Sequence, residues 1–263
     1  DFGDLTATAS QGGGCGDVVR GLCMSGERAG SGSANIDVVH FASKGNTSNF
    51  GSSSVARRRG AGLSNNTRGV LAGGHTPTKS NVIDFVTIAT AGDASDFGDL
   101  AAATTQAGGT ASPTRGVTGG GSTGSDINVI QYITIASTGD AADFGDLTAA
   151  RSNIASSGSI TRGLFAGAYP VGNIIDFITI ASTGDASDFG DLTVSRGGGC
   201  NGGALSNKVR GLFAGGYAYP ADPANSNVID FVTIASTGNA TDSGDLTAVK
   251  QNLTTASNGH GGL

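Results

Sequence analysis

The sequence predicts an all-β protein assembled from one repeated unit. Three observations carry this expectation. The stretch Asn173–Leu192, NIIDFITIASTGDASDFGDL, returns in near copies that begin at Asn35, Asn81, Asn128 and Asn227. Self-similarity at a period of about 20–50 residues marks a repeat architecture. The apolar runs are rich in Val, Ile, Phe and Thr, as strands are, while Glu27 is the only glutamate and lysines number four, so residues that favour surface helices are scarce. No stretch shows an apolar helical period over about 11 residues.

Three markers keep constant order along the chain. D-F-G-D-L starts at Asp1, Asn49 (as NFGSS), Asp96, Asp143, Asp188 and Asp242 (as DSGDL). T/V-R-G places Arg20, Arg68, Arg115, Arg162 and Arg210 in register, and the I-D-F run places Asp37, Asp84, Gln131, Asp176 and Asp230. Each unit reads as four strands. Strand a begins just after the polar residue that follows D-F-G-D-L, as in Arg196 and then GGGC; strand b is R-G-L-F-A-G-G; strand c is the I-D-F-V-T-I-A run; strand d carries D-F-G-D-L-T. S-T-G-D between c and d is a glycine-containing hairpin turn.

Strand c indicates how the units pack. Over Val82–Ala89, Ile83, Phe85, Thr87 and Ala89 share one face and Val82, Asp84, Val86 and Ile88 the other. Both faces are largely apolar, so the strand belongs inside a stack of sheets. Four antiparallel strands every ~40–50 residues, each sheet buried on both faces, describe a β-propeller blade. Ile83, Phe85, Ile175, Phe177, Ile229 and Phe231 are therefore expected between blades. A β-solenoid and a trimeric β-fibre are the alternative architectures. The whole of residues 1–263 reads as a single repeat domain, with five full repeats of about 47 residues and partial repeats at both ends. The chain opens on a lone strand d and ends after a strand a. A six-bladed ring is favoured, its sixth b and c strands expected upstream of Asp1, with five and seven blades left open. The ending S-N-G-H-G-G-L reads as a true terminus.

The order of short apolar strand, Gly-Gly pair (Gly73-Gly74, Gly215-Gly216), variable loop, I-D-F strand, and a strand ending before Arg57, Arg151 or Arg196 resembles the kelch repeat of β-propellers. Phe97, Phe144 and Phe189 stand where a kelch repeat carries Trp. The wording of the whole repeat is similar to kelch-like repeats in virion and tail-fibre proteins of marine bacteriophages. That resemblance implies a non-enzymatic structural or adhesion module, in the virion or outside the cell, which supports assembly or binds a host-surface glycan. Its expected partners are other virion proteins, further copies of itself and host-surface carbohydrate. The alternative is a carbohydrate-active or oxidative propeller enzyme.

The formal net charge of −6 and sequence pI near 4.8 argue against a nucleic-acid partner, which needs a basic face. The single basic run, Arg57-Arg58-Arg59, reads as a solvated loop. No apolar run approaches the ~18 residues of a membrane helix, and the first ten residues lack the pattern of a secretion signal, so no membrane insertion is expected. Cys15, Cys23 and Cys200 form neither a disulfide framework nor a zinc set; Cys15 and Cys23 are read as buried free thiols, with pairing across a hairpin as the alternative.

No catalytic residue and no cofactor is nominated. The acidic turns, Asp185, Asp188 and Asp191 and their copies, fit a turn-fixing role better than calcium binding, because D-x-D-x-D-G is not met. The five T/V-R-G arginines are expected to pair with the strand-c aspartates and tie blade to blade, with a ligand-binding ring as the alternative. D-F-G matches the kinase tripeptide only by coincidence, since nothing else of that signature is present. Gly119 to Gly121 is no phosphate loop, and His40, His75 and His260 lie in different repeat slots. Loops vary in length where strands stay constant, as binding loops do. Tyr169, Tyr217 and Tyr219 sit on those loops and are the candidate ligand-binding residues, because an aromatic face packs against a sugar ring.

Overall fold

The computed structural model describes residues 2–168, 172–197, 203–218 and 225–256. Each repeat forms one four-stranded sheet, with strands in chain order and antiparallel throughout. The first blade is β1 (Gly13–Gly16), β2 (Arg20–Arg28), β3 (Ser31–His40) and β4 (Ser48–Arg57), and the second is β5 (Ala61–Ser64), β6 (Arg68–Thr76), β7 (Thr78–Thr87) and β8 (Ser95–Asp99). The third is β9 (Gly108–Ala111), β10 (Arg115–Gly119), β11 (Val129–Thr134) and β12 (Ala142–Asp146). The fourth is β13 (Ala155–Gly158), β14 (Arg162–Ala168), β15 (Gly172–Thr179) and β16 (Ser187–Asp191), and the fifth is β17 (Gly203–Ser206), β18 (Arg210–Ala214), β19 (Val228–Thr233) and β20 (Thr241–Asp245). The first strands of successive blades lie side by side around the axis. This is a β-propeller with five blades, so the favoured count of six is corrected to five. The described residues contain no further b and c strands to build a sixth sheet. No helix among them is long and apolar enough to cross a membrane.

The core is distributed between blades. Four apolar clusters fill the four junctions, for example Leu164, Ile175, Phe189, Phe213 and Val232 between the fourth and fifth blades. Ile83 and Ile175 are fully buried, while Phe85, Phe177, Ile229 and Phe231 are partly buried. Phe97, Phe144 and Phe189 are buried in the outer strands. Phe97 meets Phe85 edge-on at 5.8 Å between ring centroids, and Phe189 meets Phe177 likewise at 5.9 Å.

The D-F-G-D-L motif is explained by the outer edge. The c–d register slips between Ile and the strand-c Asp or Gln in every blade, and the D-F-G glycine sits opposite that isoleucine. Gly98 has φ +144°, and a Cβ there would lie 2.5 Å from the carbonyl of Gly139 in the next blade, so only glycine fits. The Phe97 carbonyl accepts the Gly139 N–H at 2.7 Å, and the Asp99 N–H donates to Asp140 Oδ1 at 3.0 Å. The same pair of bonds recurs from the fourth blade to the fifth through Gly238 and Asn239. Asp93, Asp140 and Asp185 thus hold the neighbouring blade's backbone, while Asp242 Oδ1 accepts the N–H of Gly244 in its own turn at 2.8 Å. Among the described residues no three His, Cys, Asp or Glu side chains gather as a metal site.

Two charge assignments from the sequence are corrected. Arg57 is no solvated loop residue: it is fully buried, its Nη2 3.0 Å from Asp84 Oδ2 and donating to the Leu71 carbonyl at 3.0 Å. Arg151 and Arg196 do the same with Asp176 and Asp230, each at 2.8 Å, and Asp37 pairs with Arg28 at 2.7 Å. Asp176 also accepts the N–H and hydroxyl of Thr148 at 3.1 and 2.7 Å. Burial pulls these three guanidinium groups below their ordinary pKa, and the facing carboxylate opposes that shift.

The T/V-R-G arginines do something else. Arg68, Arg115, Arg162 and Arg210 stack over Phe85, Tyr132, Phe177 and Phe231 of the adjacent strand at 4.4–4.8 Å. Arg68, Arg115 and Arg162 also donate Nη1 to a carbonyl of the next blade, as does Arg20. Strand parity accounts for the error: Arg162 is opposite Thr179, so Phe177 shares its face and Asp176 lies on the other.

Cys15 and Cys23 are free thiols. Cys15 pairs in register with Leu22 and Cys23 with Gly14, so the two side chains leave opposite faces of the sheet and cannot bond. Burial pushes the thiols up to about 12 and about 11. Cys200 lies outside the described residues.

Candidate functional site

At five places the chain turns inward from the outer edge through a residue in the left-handed region. Gln11, Arg59, Gln106, Asn153 and Asn252 occupy this slot with φ between 55° and 64°. For a non-glycine residue that conformation costs roughly 1 kcal/mol. A hydrogen-bond chain that links these five residues offsets it. The Arg59 N–H donates to the Gln11 carbonyl at 2.8 Å, Gln106 to Arg59 at 3.0 Å, Asn153 to Gln106 at 3.0 Å, and Gln11 to Asn252 at 3.5 Å.

The consequence is a polar cup of about 510 Å³ at one mouth of the ring, within the usual size range of small-ligand sites. Its floor is the slot itself. Arg59 Nε donates to Gln11 Oε1 at 2.9 Å and Gln106 Nε2 to Asn153 Oδ1 at 2.8 Å, so the floor is held in place before any ligand arrives. Ser122, Asp126, Ser152, Tyr217 and Gln251 complete the lining. Short bridges position the wall: Thr105 with Ser122, Ser122 with Asp126, and Gly197 with Tyr217. Three residues beyond the slot, at Gly14, Gly62, Gly109, Ser156 and Thr255, the inner strands and Ala204 enclose a small cavity of about 70 Å³. Small side chains there let the inner backbones approach closely, as Ser156 Oγ does in donating to the Gly109 carbonyl at 2.6 Å.

The wall slot that holds Ser122 and Tyr217 carries Glu27 and His75 in the first two blades. Arg58 forms an ion pair with Glu27. Burial, then the Arg58, Arg59 and Lys79 charges, hold the His75 imidazole below its ordinary pKa, which favours its neutral form at pH 7.

Of the three tyrosines nominated from sequence, Tyr217 lines the cup; Tyr169 and Tyr219 lie outside the described residues. The alternative of a ligand-binding ring made by the T/V-R-G arginines is not what the geometry gives, since those side chains lie over blade aromatics. Sequence reading missed the floor. The signal was available: a polar side chain stands ten residues after the start of D-F-G-D-L at Gln11, Arg59, Gln106, Asn153 and Asn252, but with no shared identity to draw attention.

A scan against protein-family models finds no match, and a search of curated proteins finds no similar chain; the kelch-like and bacteriophage resemblances therefore rest on the wording of the repeat alone.

Proposed function

We propose that this chain is a non-enzymatic binding module whose polar cup takes a carbohydrate. One observation carries the reading: amides, hydroxyls, one guanidinium, one carboxylate and one phenol converge on a cup of small-ligand size with a pre-set floor. Amides and carboxylates suit paired sugar hydroxyls, and a tyrosine face suits the apolar side of a pyranose. The same lining speaks for binding over hydrolysis, because Asp126 is the only carboxylate among its described residues. The kelch-like, virion or tail-fibre setting is part of the same proposal and is supported by the repeat wording. There the cup would meet a host-surface glycan, and the blades would contact other virion proteins or further copies.

A glycan array on the full chain, followed by calorimetry on the best hit, tests this. Tyr217→Ala and Gln106→Ala should each weaken binding about tenfold, the equivalent of ~1.4 kcal/mol. Binding by both variants as tight as the parent's, or no glycan bound at all, sinks the carbohydrate reading. Tight binding to another virion protein without glycan binding would leave a purely structural module.

A further inference from the structure

The four junctions between consecutive blades share an outer ladder, an apolar cluster and an arginine-to-carbonyl bond, and the opening between the fifth blade and the first has only its two ends. At the inner end, residues 252–256 run between β17 and β1. Thr255 Oγ1 donates to the Ala204 carbonyl at 2.8 Å and Thr254 Oγ1 to the Gly12 carbonyl at 3.0 Å. A Cβ on Gly14 would touch the Thr255 carbonyl, as one on Gly62 would touch the Gly14 backbone. This segment therefore stands where an innermost strand stands. At the outer end, the Phe2 carbonyl accepts the Gly45 N–H at 2.8 Å, the Asp4 N–H donates to Asn46 Oδ1 at 2.9 Å, and Thr6 Oγ1 donates to Asp37 Oδ1 at 2.7 Å. These are the bonds of an outermost strand. Among the described residues no strand lies between the two segments.

The faces flanking this opening are less buried than their repeat equivalents. Leu212, Ile229 and Leu246 of the fifth repeat and Val39 and Phe41 of the first are partly exposed. The residues in those slots at the closed junctions, such as Leu164, Ile175, Leu192, Ile178 and Ile180, are buried. The polar groups tell the same story. Thr148 with Arg151, and Thr193 with Arg196, converge on the strand-c aspartate of the following blade. Thr247 and Lys250 hold those two slots after the fifth blade, and both are exposed. Arg210 stacks on Phe231 like its counterparts but is exposed and has no carbonyl partner among the described residues.

We propose that this opening is a docking site for a two-stranded β-hairpin of the repeat's own b–c kind, carrying an aspartate in strand c. A blade has four strands about 4.8 Å apart; the innermost and outermost are in place, so two fit. One hairpin strand pairs with residues 252–256 and the other with residues 2–5, by main-chain addition. Its aspartate meets Thr247 and Lys250, its apolar residues cover the fifth and first blades, and its last carbonyl accepts Arg210. The basic slot, which has no acidic partner among the described residues, selects an acidic strand over a neutral one. This site is independent of the cup.

The first probe is a peptide with the sequence of residues 162–180, titrated into the full chain. Saturable one-to-one binding is expected, with slowed amide exchange at residues 2–5 and 252–256. Asp176→Asn in the peptide, or Lys250→Glu in the chain, should weaken it about tenfold through loss of the charge-assisted bonds. An isolated hairpin is marginally stable, so a second form removes that cost: residues 162–187 fused ahead of Asp1, where their turn leads into D-F-G-D-L. The fused chain should melt higher than the parent and protect the added amides. An unchanged melting temperature with the added segment exchanging as free coil overturns the proposal. So does equal binding by the Asp176→Asn peptide, or a dimer of the parent chain that excludes the peptide, which would make this face a contact between copies.

Discussion

The junction between the second and third blades differs from the one between the third and fourth in a single device. The third-to-fourth junction buries Arg151 against Asp176. In the second-to-third junction the same two slots hold Thr104 and Gln131, both buried; Gln131 Oε1 accepts the Ala101 N–H at 2.8 Å and Thr104 Oγ1 donates to the Ala102 carbonyl at 2.9 Å. The outer ladder is otherwise repeated, and each junction has its apolar cluster. A buried ion pair and two neutral side chains, each bonded to backbone, thus serve equivalent places. Desolvating two charges offsets most of what their attraction returns, whereas a lone buried charge is costly. Both partners differ together because either single change would strand the other.

The largest expected effect follows directly. Asp176→Ala leaves Arg151 buried without its carboxylate and removes two acceptors from Thr148, so it should cost about 3–5 kcal/mol in urea unfolding. The double change Arg151→Thr with Asp176→Gln copies the neighbouring junction and should recover most of that loss. A double variant as unstable as the single one would mean that the charge itself, not the pairing, supports the junction.

Much of this was legible beforehand, and the exceptions have physical causes. The repeat wording placed strands b, c and d of all five blades, since D-F-G-D-L and I-D-F mark two paired strands and the bulge between them; strand a was set too early, and β17 begins at Gly203, beyond the GGGC of residues 197–200. It also located the strand-c aspartates as blade ties. Their partners were misassigned because the arginine of Arg162 recurs in every repeat and the aspartate of Asp176 in all but one, while facing depends on register, which puts Thr179 opposite Arg162. Arg57 read as solvated because a basic run says nothing of a carboxylate a full strand away. The blade count depends on what fills the space between the fifth and first blades, a tertiary fact. The cup floor stayed hidden because its slot conserves a backbone conformation across Gln, Arg and Asn, and left-handed geometry at Gln106 has no one-letter signature. Tyr217 was nominated because loop variability points to binding surfaces, and it lines the cup.

A second test checks that the two junctions differ only in the ion pair. Gly98 and Gly145 both have φ +144°, and a Cβ on either would lie 2.5 Å from the next blade's glycine carbonyl. Gly98→Ala and Gly145→Ala should each cost roughly 2–4 kcal/mol, from backbone strain plus overpacking. Losses that match within error confirm a common outer ladder. A clearly smaller loss at Gly145 would mean that the ion pair lets the third-to-fourth junction absorb the strain.

The smallest effect concerns the stacked arginines. Arg68 and Arg115, one per junction, lie over Phe85 and Tyr132 and donate to the carbonyls of Ile135 and Ile180 at 2.7 and 3.1 Å. Each is partly exposed, so solvent screening limits its contribution. Arg68→Ala and Arg115→Ala should each cost about 1–2 kcal/mol, from a cation–π contact and a charge-assisted hydrogen bond. Arg210 makes the stacking contact alone, over Phe231 at 4.5 Å, and Arg210→Ala should cost only about 0.5 kcal/mol. Midpoints of urea unfolding at unchanged slope measure all three. Equal losses at Arg68 and Arg115 would extend the equivalence of the charged and neutral junctions to this contact. Joining residues 162–187 ahead of Asp1 should raise the Arg210→Ala loss to the level of the other two, because the added blade supplies the carbonyl. A loss that stays the same in the fused chain would place the hairpin out of reach of Arg210 and break the correspondence between the open junction and the closed ones.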